Sequence, residues 1–250
     1  MESGTLKTSD GQKIAFDHYP HASSKVIILA HGFYNNKDAY LFKHIAQALA
    51  KEYAVISFDF RGHGKSSGLF SWTAKEDRDL TTVLDYAKEK NYQKIGVMGF
   101  SLGAAVALAV AGKDKRIDSV IAVSAPISFW DINFHFWEPE MLNDLKLNLG
   151  MKGKGKGLRP GNLFLKKVKP IDVVDKISPT PVYFIHGSDD WIIKPVHSQK
   201  LFAKAKDSKK LLIINGTGHA EKIFDTQPKE FVEECLSWFQ ETLCARSEEV

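Results

Sequence analysis

Short, nearly unbroken apolar runs recur along this chain at intervals wide enough to hold a helix. Val26 to Ala30 and Ala54 to Phe58 have the pattern of strands buried on both faces of a sheet. Ile95 to Met98, Ser119 to Val123, Pro181 to Ile185 and Lys210 to Ile214 read as further strands. Between them, apolar residues recur at helical spacing. Leu41, Ile45, Ala48 and Leu49 predict a helix over Lys37 to Lys51, and Leu80, Val83, Leu84 and Ala87 predict one over Lys75 to Lys90. Further helices are expected over Leu102 to Ala111, Val196 to Lys204 and Lys229 to Leu243. Alternation of this kind is the signature of a wound, mostly parallel sheet flanked by helices. The chain opens differently: Thr5 to Thr8 and Lys13 to His18 flank Ser9-Asp10-Gly11-Gln12, and Asp-Gly between short alternating runs is a hairpin signal. The expected fold is α/β, a single domain over 1–250 with a central sheet of about eight strands and an N-terminal antiparallel hairpin.

The rhythm breaks once, over about 126–178, where an insertion is expected. It starts with the aromatic stretch Phe129, Trp130, Phe134, Phe136 and Trp137, followed by a short helix from Pro139 with Met141, Leu142, Leu145 and Leu149 on one face and Gly150 as its stop. The Lys152 to Gly157 repeat of Lys-Gly reads as a self-repelling surface loop. Short amphipathic pieces around Asn162 to Val168 and Ile171 to Ile177 lead back to the sheet.

The chemistry gathers at strand ends. Gly99-Phe100-Ser101-Leu102-Gly103 has G-x-S-x-G spacing between a strand and a small-residue helix, the setting that lifts a serine hydroxyl over the end of a sheet. A serine needs a base, and the base needs a group that fixes its tautomer. His186-Gly187-Ser188-Asp189-Asp190 follows one strand and Gly218-His219 follows the last, so Ser, Asp and His come in order, each just beyond a strand on one edge of the sheet. Either Asp189 or Asp190 satisfies that pattern.

Composition narrows the alternatives. The 250 residues carry 34 basic and 30 acidic side chains, and only five of the basic ones are arginine, a poor set for reading phosphates or bases. No nucleic-acid partner is expected. Cys235 and Cys244 neighbour no His or Cys cluster, so they read as reduced structural thiols, and no metal pattern or phosphate loop is present. The N-terminus lacks the basic start and apolar core of a secretory signal. The longest apolar stretch, Leu102 to Gly112, falls short of the roughly 18 residues of a span. A cytoplasmic protein without stable membrane insertion is expected.

Taken with His31-Gly32-Phe33 and the stretch Asp59-Phe60-Arg61-Gly62-His63-Gly64-Lys65-Ser66, these motifs make nearly the whole chain resemble the α/β-hydrolase superfamily, in particular its small capped serine esterases and lipases. The resemblance implies Ser101 as nucleophile, His219 as base, and Asp190 as the orienting acid, since H-G-x-x-D spacing selects it over Asp189. Asp131 is an outside alternative. It also implies an oxyanion hole from the backbone N–H groups of Phe33 and Leu102, with no cofactor. Phe129, Trp130, Phe134, Trp137 and Trp191, with Trp72, are candidate walls of a pocket for an apolar acyl or aromatic ester, although each aromatic could equally glue a cap to the sheet. His31 and His186 read as loop holders, and Arg61 and His63 as braces beneath the site. The expected function is cleavage of carboxylic esters through an acyl-enzyme. Thioesterase, amidase or peptidase, acyltransferase and C–C hydrolase chemistry share the machinery, and an idle binding module shares the fold.

Overall fold

Most of the apolar residues lie on the two faces of one eight-stranded sheet. The computed structural model describes residues 1–133, 139 and 155–244. Strands β1 (Glu2–Lys7) and β2 (Lys13–Tyr19) pair antiparallel around the Asp10-Gly11 turn, with Glu2 opposite His18 and Lys7 opposite Lys13. β2 also runs antiparallel to β4 (Ala54–Phe58). From there β3 (Lys25–Ala30), β4, β5 (Lys94–Phe100), β6 (Ser119–Val123), β7 (Val182–Gly187) and β8 (Lys209–Ile214) are parallel, in the order β1-β2-β4-β3-β5-β6-β7-β8. The expected α/β class, mostly parallel with an antiparallel start, is the observed one.

Six helices among the described residues cover the sheet: α1 (Tyr40–Leu49), α2 (Glu76–Glu89), α3 (Leu102–Ala111), α4 (Val196–Lys204), α5 (Glu221–Thr226) and α6 (Pro228–Cys244). The run Val26 to Ala30 has to be apolar throughout because both faces of β3 are covered. Val26, Ile28 and Ala30 join Leu80 and Leu84 of α2 and Leu108 of α3, while Ile27 and Leu29 join Phe42 and Ile45 of α1 and Phe239 of α6. Each such fully buried side chain contributes about 2 kcal/mol of transfer free energy.

Differences from the sequence expectation have local causes. α1 starts at Tyr40 and not at Lys37, because Lys37 is held elsewhere: its amide donates to Asp59 Oδ1 (2.7 Å) and its ammonium to Asp17 Oδ2 (2.7 Å). α5, six residues long, is too short for a periodic pattern to announce. Between β6 and β7 the described residues form single 3-10 turns at Phe129–Asp131, Pro170–Asp172 and Val174–Lys176. Asn162 to Val168 is neither helix nor strand. The helix expected from Pro139 lies, apart from Pro139 itself, outside the described residues, as do Phe134 and Trp137.

Candidate active site

The parallel strands β3, β5, β6, β7 and β8 all end on one edge, and the candidate residues sit in the first loops beyond it. Ser101 joins β5 to α3 with φ 53° and ψ −118°, a left-handed conformation that costs a non-glycine residue on the order of 1–3 kcal/mol. The turn is held from both sides: the Ser101 amide donates to the Val123 carbonyl (2.8 Å), and its carbonyl accepts from the Ala105 amide (3.1 Å). The flanking glycines are steric necessities. A methyl on Gly103 would lie 2.3 Å from the His31 carbonyl oxygen, and one on Gly99 would lie 2.6 Å from the Gly103 carbonyl oxygen. Helix α3 can therefore start hard against β3 and β5 only if both positions lack a Cβ.

Asp190 follows β7 and is buried. Its Oδ2 accepts from His219 Nδ1 at 2.6 Å, and its Oδ1 accepts from the amides of Ile192 (3.1 Å) and Ile193 (2.9 Å). His186 Nε2–H is shared between the Ile193 carbonyl (2.6 Å) and Asp190 Oδ2 (3.1 Å), while Ser198 Oγ donates to its Nδ1 (2.6 Å). Burial drives Asp190 toward neutrality, but the charge of His219 and the hydrogen bonds from His186 and His219 outweigh it. Its carboxyl is held well below the usual carboxylate range. Asp189 points elsewhere, its carboxylate accepting from Ser188 Oγ (2.6 Å) at the surface. Asp131 accepts from Ser128 Oγ. Of the three acids, Asp190 is the one bonded to His219. With its proton on Nδ1, the His219 ring presents a lone pair at Nε2.

The loops are latched to each other across strand ends. The Ser124 amide, just past β6, donates to the Ile185 carbonyl (2.8 Å), and Ser124 Oγ accepts from the Ala220 amide (3.0 Å). Thus the residue after His219 is tied to the strand whose last carbonyl holds Ser101. Ser124 and Ala220, like Ser101, have positive φ (49° and 41°). No motif marks Ser124; its role follows from a strand adjacency that the sequence alone does not expose.

Opposite, the loop after β3 lies against the turn: a methyl on Gly32 would sit 3.1 Å from Ser101 Cβ. The amides of Phe33 and Leu102 have no hydrogen-bond partner among the described residues. His31 stands behind this loop, donating from Nδ1 to the Gly32 carbonyl (2.7 Å) and accepting from the Phe60 amide at Nε2 (3.0 Å). Burial lowers its pKa to about 4, so the ring is neutral and holds the loop. Asp59 braces the same loop through the Lys37 amide, and its other oxygen accepts from the Lys65 amide (2.8 Å). Arg61 forks onto buried Asp79 (2.7 Å) and onto Asp10 (2.8 Å).

A third apolar cluster lies over this edge, separate from the two faces of the sheet. Phe70, Leu102, Phe129, Ile132 and Ile193 form it, with Phe33, Trp72, Leu163 and Ile192 at its margin. Phe129 lies in it, 5.8 Å from the Trp72 ring, while Trp130 packs on Phe129 from outside and is largely exposed. Trp191 is half-buried beside Asp190, and its carbonyl accepts from Asn133 Nδ2 (3.4 Å). Phe70 and Ile192 were not singled out in the sequence because they come from irregular segments with no periodicity. No group of His, Cys, Asp and Glu with metal-binding arrangement occurs among the described residues.

Known proteins share this architecture. A family profile described as "alpha/beta hydrolase fold" matches residues 25–154. The chain is 28% identical over 221 residues to the uncharacterized protein YfhR of Escherichia coli O157:H7, covering 87% of this chain and 70% of that one. It is 30% identical over 217 residues to the uncharacterized protein YqkD of Bacillus subtilis (strain 168), covering 80% and 67%. Among solved structures, the Pyrococcus furiosus esterase Pf2001 superposes with a TM-score of 0.77 at 24% identity, over 96% of this chain and 92% of that one. The esterase RhEst1 from Rhodococcus sp. ECU1013 gives 0.78 at 16% identity, over 97% and 100%.

Proposed function

We propose that this chain, which belongs to the α/β-hydrolase fold family, is a serine hydrolase that cleaves carboxylic esters through an acyl-enzyme on Ser101. The observation that carries the reading is the 2.6 Å bond from His219 Nδ1 to a buried, ionised Asp190, on the edge where Ser101 is held in a strained turn. The esterase activity of the two similarly folded proteins is consistent with it.

In this reading His219 Nε2 takes the Ser101 hydroxyl proton as Oγ attacks the ester carbonyl. Asp190 keeps the imidazole in the required tautomer and stabilises the imidazolium that forms. The negative oxygen of the tetrahedral intermediate accepts from the Phe33 and Leu102 amides, each donor contributing about 3 kcal/mol in the transition state. Neither amide has a hydrogen-bond partner among the described residues, so little reorganisation is needed to use them. His219 then gives its proton to the leaving alkoxide, and water attacks the acyl-enzyme by the same steps in reverse. The insertion between β6 and β7 acts as a cap, and the apolar cluster of Phe129, Trp72, Phe33 and Ile193 receives the acyl group.

A fluorophosphonate probe tests the nucleophile. Labelling of folded wild type at Ser101, absent from Ser101→Ala, together with p-nitrophenyl ester turnover in wild type only, is the expected result. An unlabelled Ser101 with wild type no faster than the variant would sink the proposal. Thioesters and amides are separated from oxygen esters by profiling acyl substrates on the same enzyme.

A further inference from the structure

Seven large apolar side chains are prominently exposed among the described residues, and four of them lie in one neighbourhood: Phe164 (81%), Trp130 (59%), Leu69 (58%) and Val168 (47%). Their proximity follows from the contacts beneath them. Lys167 Nζ lies 5.1 Å from the centre of the Trp130 ring and donates to the Leu165 carbonyl (2.9 Å), which joins the start of the insertion to its return limb. A methyl on Gly161 would lie 2.9 Å from Leu69 Cβ, which joins the limb to the loop after β4. Over 162–168 burial alternates: Leu163, Leu165 and Lys167 turn inward, while Phe164, Lys166 and Val168 face solvent.

The charge of the limb is as one-sided as its apolarity. Residues 155–169 hold five of the 34 basic side chains and none of the 30 acidic ones. The rest of the chain, 29 basic against 30 acidic, is net negative by one. The whole positive balance of the protein therefore resides in this limb. Lys166 and Lys169 are exposed there, and the first acid in sequence beyond them is Asp172. Exposed aromatic and aliphatic side chains interleaved with lysines match a surface that is apolar below and negative above, which is the cross-section of an anionic lipid layer.

We infer that this patch, Phe164, Trp130, Leu69 and Val168 framed by Lys166 and Lys169, docks the protein peripherally on anionic lipid surfaces. It would do so without a spanning element: no described helix is long and apolar enough to cross a membrane. The patch also borders the candidate site, because Trp130 packs on Phe129, Phe129 on Trp72, and Trp72 on Phe33. A docked molecule would hold the mouth of the apolar cluster against the lipid. Docking needs no turnover, so it is separable from the chemistry proposed at Ser101.

Co-sedimentation with vesicles tests it, using phosphatidylcholine alone and phosphatidylcholine mixed with phosphatidylserine, in the Ser101→Ala background as well as wild type. Both proteins are expected to pellet with the mixed vesicles, and less so as salt is raised. Lys166→Gln/Lys169→Gln weakens that partitioning by roughly 25-fold, at about fivefold per lysine. Phe164→Ser, on the surface and harmless to folding, weakens it by about tenfold. Failure of wild type to pellet with either vesicle would overturn the inference, as would equal, salt-independent binding to both. Self-association that Phe164→Ser abolishes, without vesicle binding, would overturn it in favour of a second copy of the chain as the occupant. Ester turnover plays no part in these readouts, so inactivity at Ser101 and absence of docking are told apart.

Discussion

Asp190 accepts from the Ile192 and Ile193 amides at one oxygen and from His219 and His186 at the other. The carboxylate of its neighbour Asp189 instead accepts from Ser188 Oγ, at the surface. Asp190→Asn places an amide where an ionised acceptor fixed the His219 tautomer, so kcat/KM on a p-nitrophenyl ester should fall by about 10⁴-fold. Asp189→Asn should change it by less than about twofold, as surface substitutions do. Equal losses in the two variants would remove Asp190 from its proposed role. The same carboxylate makes a stability prediction. Its pKa is depressed in the folded protein, against about 3.9 in the unfolded chain. Its ionised form therefore stabilises the fold at pH above the unfolded value, and that contribution is lost as pH falls below about 4. Urea midpoints of wild type and Asp190→Asn should differ most near neutrality and converge at low pH. A gap unchanged with pH would mean that Asp190 is not ionised in the native state.

At the scale of elements, β5 and α3 meet where Gly99 and Gly103 leave no room for a Cβ, which makes the turn a packing device as well as a chemical one. Gly103→Ala drives a methyl into the His31 and Ala30 carbonyls at 2.3 and 2.4 Å, and is expected to lower stability by about 3 kcal/mol. The urea midpoint measures it, and a midpoint unchanged from wild type would show that α3 can shift away freely. These elements were legible because a strand buried on both faces must be apolar throughout and a helix over it must be apolar at its own period. The candidate residues Ser101, Asp190 and His219 stand out because they follow strand ends in chain order, one, three and five residues beyond β5, β7 and β8. The return limb was not legible. Gly155 donates to the Tyr34 carbonyl (2.8 Å), Gly64 to the Lys156 carbonyl (3.0 Å), and Arg159 to the Gly62 carbonyl (2.7 Å). The limb is thus seated by backbone bonds on the R-G-H-G loop and on the residue after Phe33. Bonds between irregular segments leave no apolar period, and the Asn162 to Val168 alternation reads as an amphipathic piece until the surface beneath it is known.

For the molecule as a whole, that seating links the insertion to the proposed oxyanion loop. The Phe33 ring lies 5.1 Å from Trp72, Trp72 lies 5.8 Å from Phe129, and the Trp72 indole N–H donates to the Gly161 carbonyl at 3.0 Å. Trp72 is itself held at φ 59°, a conformation a bulky residue adopts only when its surroundings impose it. One side chain therefore touches the loop that would hold the oxyanion, the start of the insertion and its return limb. If the apolar cluster receives the acyl chain, removing the indole should discriminate among substrates instead of lowering all rates alike. For Trp72→Ala, kcat/KM on an octanoyl ester presented below its micellar range is expected to fall at least about tenfold more than on the acetyl ester, within the span by which apolar contacts discriminate. Trp72→Phe, which keeps a ring against Phe33 and Phe129 but loses the bond to Gly161, should retain most of the chain-length preference. A uniform loss across chain lengths in Trp72→Ala, with fluorophosphonate labelling of Ser101 slowed equally, would mean that the aromatic contacts shape the oxyanion loop and leave acyl selection to other residues.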